Sequence, residues 1–244
     1  MWSSIEQIIK PDSLSEASVL LKESGSVLFA GGTYLVSQKD TDINTLLDIN
    51  HLLSNQITRH GDEFHLDAGC TLQEIANFDD AHLKSAILSA CPSKNIRNQR
   101  TIGGEIARSR TDSDLLVFLF ASRTQLFLNE SEAPVELSHW NGEGIIEKMI
   151  IPALDVKLER VALLDSAPAF VIVGMNEQAD STAICIGGKS SKILFIETRS
   201  EPDETEIRKF MDDVESCFSE DHLGTPAYKR HLVSSLLQEM AVVK

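Results

Sequence analysis

The sequence predicts an α+β fold in two parts, and three features carry that expectation. Before residue 143, short apolar runs alternate with helix-start signals, which reads as mixed strands and helices. Around Trp140-Asn141-Gly142-Glu143-Gly144 the sequence becomes loop-like and marks a boundary. Beyond it come strand-like runs separated by polar and glycine turns, then two helical stretches that close the chain. The expected division is 1–143 and 144–244.

Each element has a local reason. Ser13-Leu14-Ser15-Glu16 has capping-box spacing, and Leu14, Ala17, Leu20 and Leu21 form an apolar stripe behind it, so a helix is expected to about Glu23, stopped near Gly25. Val27–Ala30 and Thr45–Ile49 read as strands. Glu63–Ala68 alternates, with Phe64, Leu66 and Ala68 on one side. Thr71-Leu72-Gln73-Glu74 is a second capping box. A helix is expected over Asp79–Ala90, ending before Pro92, and another from about Asp112 through the apolar run Leu115–Ala121. Gln125–Leu128 reads as a strand. In the second part Ile145–Ile151, Ala169–Val173, Thr182–Ile186 and Ile193–Glu197 read as strands, with Gly174–Asp180 and Gly187–Ser191 as their turns. Asp203–Phe218 and Pro226–Val242 read as helices. In the last of these, Leu232, Leu236 and Met240 point to core packing, and Tyr228-Lys229-Arg230 reads as exposed helix surface.

Two glycine pairs carry the chemical signal. Gly31-Gly32 follows the buried-strand run Val27-Leu28-Phe29 and precedes Thr33; Gly103-Gly104 follows Thr101-Ile102. Paired glycines let backbone N–H groups approach a ligand with no Cβ between, and near a helix start such groups can hold phosphate. Either pair alone is also what an ordinary tight turn looks like. Neither fits the P-loop pattern or the G-x-G-x-x-G dinucleotide fingerprint. Two such turns facing one ligand would imply a long molecule with two phosphates. Gly187-Gly188-Lys189-Ser190 lacks the upstream glycine of a P-loop and reads as a hairpin turn.

Composition narrows the function. The 244 residues are 42% hydrophobic, enough for a packed core. A formal charge of -15 argues against a nucleic-acid partner. No apolar run approaches the ~18 residues a membrane span needs, and the first residues lack signal-peptide character. Cys70, Cys91, Cys185 and Cys217 are scattered, as are the seven histidines, so no metal or cluster ligands are expected and reduced thiols in the cytoplasm are the simple reading. No acid–base or nucleophilic set emerges.

In combination, several short segments are specific. Pro11-Asp12-Ser13-Leu14-Ser15-Glu16-Ala17, Ala30-Gly31-Gly32-Thr33, Leu47-Asp48-Ile49-Asn50, Asp67-Ala68-Gly69-Cys70-Thr71-Leu72, Ile96-Arg97-Asn98 through Thr101-Ile102-Gly103-Gly104, and Tyr228-Lys229-Arg230-His231-Leu232 occur in that order across nearly the whole chain. The set resembles the flavin-binding medium subunit of molybdenum hydroxylases, the xanthine dehydrogenase and carbon monoxide dehydrogenase flavoproteins. The resemblance implies a two-part FAD-binding domain of the vanillyl-alcohol-oxidase type, followed by a small antiparallel sheet plus helices. It implies FAD as cofactor, with Ala30, Gly31, Gly32, Thr33, Tyr34 and Leu35 on one side of its pyrophosphate. Thr101, Ile102, Gly103, Gly104 and Glu105 would lie on the other. Asp114 falls where the family has an aspartate that accepts hydrogen bonds from flavin hydroxyls; as a residue, it is equally a favourable acid at a helix start.

The implied role is electron transfer as part of a hetero-oligomer. Electrons from a molybdenum-cofactor large subunit would pass through an iron–sulfur small subunit to FAD here and on to NAD⁺ or another acceptor. Four residues depart from the family pattern. Tyr34 replaces an aspartate, Glu105 an asparagine, and Arg110-Thr111 a Ser-Pro pair. A carboxylate beside a pyrophosphate repels it unless turned away or paired, and Arg108 or Arg110 are the expected partners. These departures leave open a scaffold subunit that does not retain FAD. A free-standing flavin oxidase is the remaining alternative.

Overall fold

The structure, a computed structural model, describes residues 2–78, 80–152, 155–199 and 204–242. In chain order the elements are β1 (Gln7–Ile9), α1 (Leu14–Leu20), β2 (Ser26–Phe29), α2 (Leu35–Gln38), β3 (Thr45–Asp48), β4 (Ile57–His60), β5 (Glu63–Asp67) and α3 (Leu72–Ala76). Then follow α4 (Ala81–Ala90), α5 (Lys94–Arg97), α6 (Ile102–Arg108), α7 (Asp114–Ala121), β6 (Gln125–Leu128), β7 (Val135–Glu136) and β8 (Ile146–Ile151). The chain closes with β9 (Lys157–Val161), β10 (Val171–Glu177), β11 (Ser181–Gly188), β12 (Leu194–Arg199), α8 (Glu204–Cys217) and α9 (Pro226–Val242). The helix starts expected at Asp79 and Asp203 lie outside the described residues.

These elements form two compact units built from interleaved segments. The first comprises residues 1–78, 93–109 and 125–150, the second 79–92, 110–124 and 151–244. The boundary expected between 143 and 144 falls inside the third segment of the first unit.

The first unit holds two sheets. One is three-stranded and parallel, ordered β1-β3-β2, with Leu46 of β3 between Ile8 and Val27. Ser13 caps α1 as its spacing predicts, its side chain accepting from the Glu16 N–H, and Ala17 carries the helix into the core with Ile49 and Ile145. The other sheet is five-stranded, ordered β4-β5-β8-β6-β7. Phe64 and Leu66 of β5 are fully buried while Glu63 is exposed, the alternation read from the sequence. Thr71 and Glu74 make the full capping box at the start of α3. The starts of α3 and α6 are laced together: Leu72 N–H donates to the Arg100 carbonyl at 2.9 Å, and Ile102 N–H to the Cys70 carbonyl at 2.9 Å.

The second unit is an antiparallel sheet ordered β12-β11-β10-β9 with helices on both faces. Val171, Val173 and Met175 face a core shared with Phe210 and Val214 of α8 and Val233 and Met240 of α9. The alternate residues face α7. At Gly174 an added Cβ would meet Val117 Cγ1 at 3.0 Å, and Asn176 Nδ2 donates to the Ala121 carbonyl at 3.2 Å. Covered on both faces, β10 is buried without a break from Val171 to Asn176.

That double cover explains two errors of the sequence reading. Gly174 and Gly187 were expected in turns, yet both lie within strands, because α7 packs too closely for a side chain: a Cβ on Gly187 would lie 2.5 Å from Val117 Cγ2. The sequence also hid strands β1, β4, β7 and β9 and helices α2, α5 and α6, which are short and only partly buried or, for α6, glycine-rich. Lys229, expected on the surface, is fully buried. Its Nζ donates to the Ser219 carbonyl at 2.8 Å and to Asp221 Oδ1 at 2.9 Å, fixing the approach to α9.

Candidate functional site

Within the first unit, the end of β2, the start of α2, the start of α6 and the turn before β8 surround a cleft of 390 Å³. Both glycine pairs line it. Its lining includes apolar Leu21, Val27, Ile145 and Ile146, and also Thr33, Tyr34, Arg100, Glu105 and Arg108.

The Gly31-Gly32 turn is held open by two close approaches. Gly31 runs so near the 99–100 peptide that a Cβ would sit 1.9 Å from the Gln99 carbonyl oxygen. Gly32 has φ +64, the left-handed region that glycine enters without strain, and its Cα packs on the Phe29 ring. The chain then turns into α2, where Val36 N–H is the first to find a carbonyl, that of Gly32 at 2.9 Å. Among the described residues, the N–H groups of Gly31, Gly32, Thr33, Tyr34 and Leu35 donate to no protein acceptor. Adjacent unpaired amides beside a cleft form a concavity suited to an anion.

The Gly103-Gly104 pair is built differently. It was expected in a loop, and it is the first turn of α6. Thr101 caps the helix, its Oγ1 accepting from Gly104 N–H at 3.2 Å, while Gly103 N–H donates to the Ala68 carbonyl at 3.1 Å. Gly103 is glycine because α6 presses on the Ala68 turn, where a Cβ would lie 2.8 Å from that of Ala68. At Gly104 a Cβ would meet only Thr101 Oγ1, at 3.0 Å, with open space beyond. This wall therefore contributes a smooth surface, and its amides are committed to the fold.

Charge on the cleft wall is set by three side chains. Glu105, in the first turn of α6, has a fully shielded side chain, and its Oε2 lies 3.3 Å from Arg100 Nη1. Arg100 also donates from Nε to Thr33 Oγ1 at 3.3 Å, joining the two glycine segments. Of the two arginines expected beside Glu105, Arg108 lies over the Tyr34 ring, 4.1 Å from its centroid, and Arg110 pairs with Asp112 at 3.0 Å. Arg100 was missed because it occupies an unmarked position in the sequence pattern. Its proximity to Glu105 signals nothing until α6 is recognised.

Of the other expected site residues, Ala30, Tyr34, Leu35 and Thr101 line the cleft, and Ile102 is buried core beneath it. Asp114 belongs to the second unit, at the start of α7, with Ser113 as cap. It is buried, with Arg160 Nε 2.9 Å from its Oδ1. Burial pushes its carboxyl above the ordinary carboxylate value, against the pull of Arg160 and then Arg110. All four cysteines are buried and none forms a disulfide; burial raises Cys70 to about 12, Cys217 to about 11 and Cys185 well above the ordinary thiol value, so these three are thiols. Among the described residues no group of three or more His, Cys, Asp or Glu could hold a metal ion, and no helix is long and apolar enough to cross a membrane.

Comparison with known proteins gives this geometry a family. An uncharacterized Escherichia coli K12 protein, YgfM, is 27% identical over 250 residues, covering 97% of this chain and 95% of that one. Carbon monoxide dehydrogenase from Hydrogenophaga pseudoflava, in a form lacking the Mo-pyranopterin moiety, has a similar fold: TM-score 0.71, 17% identity, 96% of this chain and 95% of that one. Quinoline 2-oxidoreductase from Pseudomonas putida 86 matches at TM-score 0.66 and 16% identity, over 96% and 94%. The α+β fold expected from the resemblance is the one observed. The family model described as the FAD binding domain in molybdopterin dehydrogenase matches residues 3–143, and both glycine segments lie inside that match. The chain belongs to this FAD-binding family of the molybdenum hydroxylases, and FAD is its cofactor.

Proposed function

We propose that this protein is the FAD-carrying electron-transfer subunit of a molybdenum-containing hydroxylase or dehydrogenase. A large subunit would bring the molybdenum cofactor and a small one the iron–sulfur clusters, with NAD⁺ or another acceptor taking the electrons away. The observation that carries the reading is the row of amides from Gly31 to Leu35, unpaired among the described residues and borne by residues that line the same cleft as Gly104. These residues fit FAD. The amides are donors for its diphosphate, Gly104 leaves room beside it, and the apolar lining residues suit a flat ring system. Bound FAD supplies a redox centre that exchanges electrons and hydride without a side-chain acid. The protein's part is to hold and orient it.

A scaffold subunit without FAD is the second reading, and Glu105 favours it by placing a carboxylate on the cleft wall. The pairing with Arg100 answers that objection. The test is co-purification from native cells with flavin and metal analysis of the complex, together with the absorption spectrum of the isolated chain. Flavin bands at close to one FAD per chain, with molybdenum and iron in the complex, are expected. A colourless protein that takes up no added FAD would leave only the scaffold reading.

A further inference from the structure

We propose that Arg100 is a positioning residue that presets the cleft, by tying the Gly31–Leu35 turn to α6 and by cancelling the charge of Glu105. The proposal rests on the reading of the cleft as the FAD site and adds how this chain tolerates an acid there.

The geometry is specific. One guanidinium contacts both glycine segments, with Nε to Thr33 Oγ1 and Nη1 to Glu105 Oε2, each 3.3 Å. Arg100 is largely shielded, its side chain 13% exposed, and Glu105 is wholly so. At such burial a lone carboxylate facing a diphosphate would be strongly repulsive, because little water screens the two. Cleft-lining charge consists of Arg100, Glu105 and Arg108. Arg100 and Glu105 offset one another, and Arg108 lies over the Tyr34 ring. The diphosphate then meets the amide row with the Glu105 charge offset. Arg100 and Glu105 act as a unit, so removing one is worse than removing both.

A charge cycle on the full-length chain tests this. FAD affinity is measured by flavin fluorescence at low and moderate salt for wild type, Arg100→Met, Glu105→Gln and the double variant, with riboflavin as a ligand lacking phosphate. Arg100→Met is expected to weaken FAD about 30-fold or more, as loss of one partner of a buried pair does. Glu105→Gln is expected to bind FAD at least as tightly as wild type, with a steeper loss on adding salt. The double variant should return to within about threefold of wild type, and riboflavin should change by less than about twofold throughout. Wild-type affinity in Arg100→Met, or a double variant no better than Arg100→Met, overturns the proposal. Unfolding midpoints of the ligand-free proteins provide the second readout. There too Arg100→Met should be the least stable of the four and the double variant closer to wild type. If wild type binds no FAD, the cofactor reading fails on that arm alone. The ligand-free unfolding pattern then still decides whether Arg100 serves Glu105, and four equal midpoints would overturn it.

Discussion

The two glycine pairs look alike in the sequence and do different work in the fold. Gly31-Gly32 leaves a strand, enters a turn and carries five amides with no protein acceptor among the described residues. Gly103-Gly104 opens a helix whose first amides are all spoken for: Ile102 to Cys70, Gly103 to Ala68, Gly104 to the Thr101 cap. A Gly-Gly pair is therefore not a phosphate loop by itself. What matters is where the amides go and what a Cβ would strike. At Gly31 it would strike backbone, at Gly104 mostly open cleft.

The largest effect should come from Gly31→Ala. With the Gln99 carbonyl oxygen 1.9 Å from the new Cβ, the turn cannot keep its path. About 2–4 kcal/mol of stability should go with it, and FAD affinity should fall beyond about 100-fold, because the amide row moves as a whole. Denaturant unfolding and flavin titration read the two losses. A variant that melts like wild type and binds FAD would mean that the turn is not the rigid donor array described above.

Gly104→Ala should separate binding from folding. Alanine is the better helix former by about 1 kcal/mol, which offsets the squeeze against Thr101 Oγ1 at 3.0 Å, so stability should stay within about 1 kcal/mol of wild type. The methyl group enters the cleft, and FAD affinity should fall about tenfold. Unchanged affinity would remove the α6 wall from the FAD site and leave the Gly31 turn to bind alone.

How much of this was legible follows the same division. The fold class, the helix caps at Ser13 and Thr71, and the alternating β5 could be read because each rests on local spacing. The glycine segments could be read through the ordered motifs around them. Gly174 and Gly187 were misread because their reason is the close passage of α7, a contact invisible along the chain. Lys229 was misread likewise, since nothing near it in sequence announces that Ser219 and Asp221 will enclose its ammonium. Arg100 was passed over for the same reason: its meaning depends on Thr33, 67 residues away.

The finest test of the comparison is Thr101→Val. Valine keeps the shape of a side chain that is 5% exposed and removes the oxygen that accepts from Gly104 N–H. Loss of the cap should lower stability by about 1 kcal/mol. If the α6 amides serve the fold and not the ligand, FAD affinity should stay within about threefold of wild type, since the hydroxyl's partner is internal. A fall in affinity well beyond that, with only the modest melting shift, would mean that the Thr101 hydroxyl also reaches the diphosphate. The second glycine segment would then be a donor wall like the first, and the contrast between the two would narrow to the number of amides each can offer.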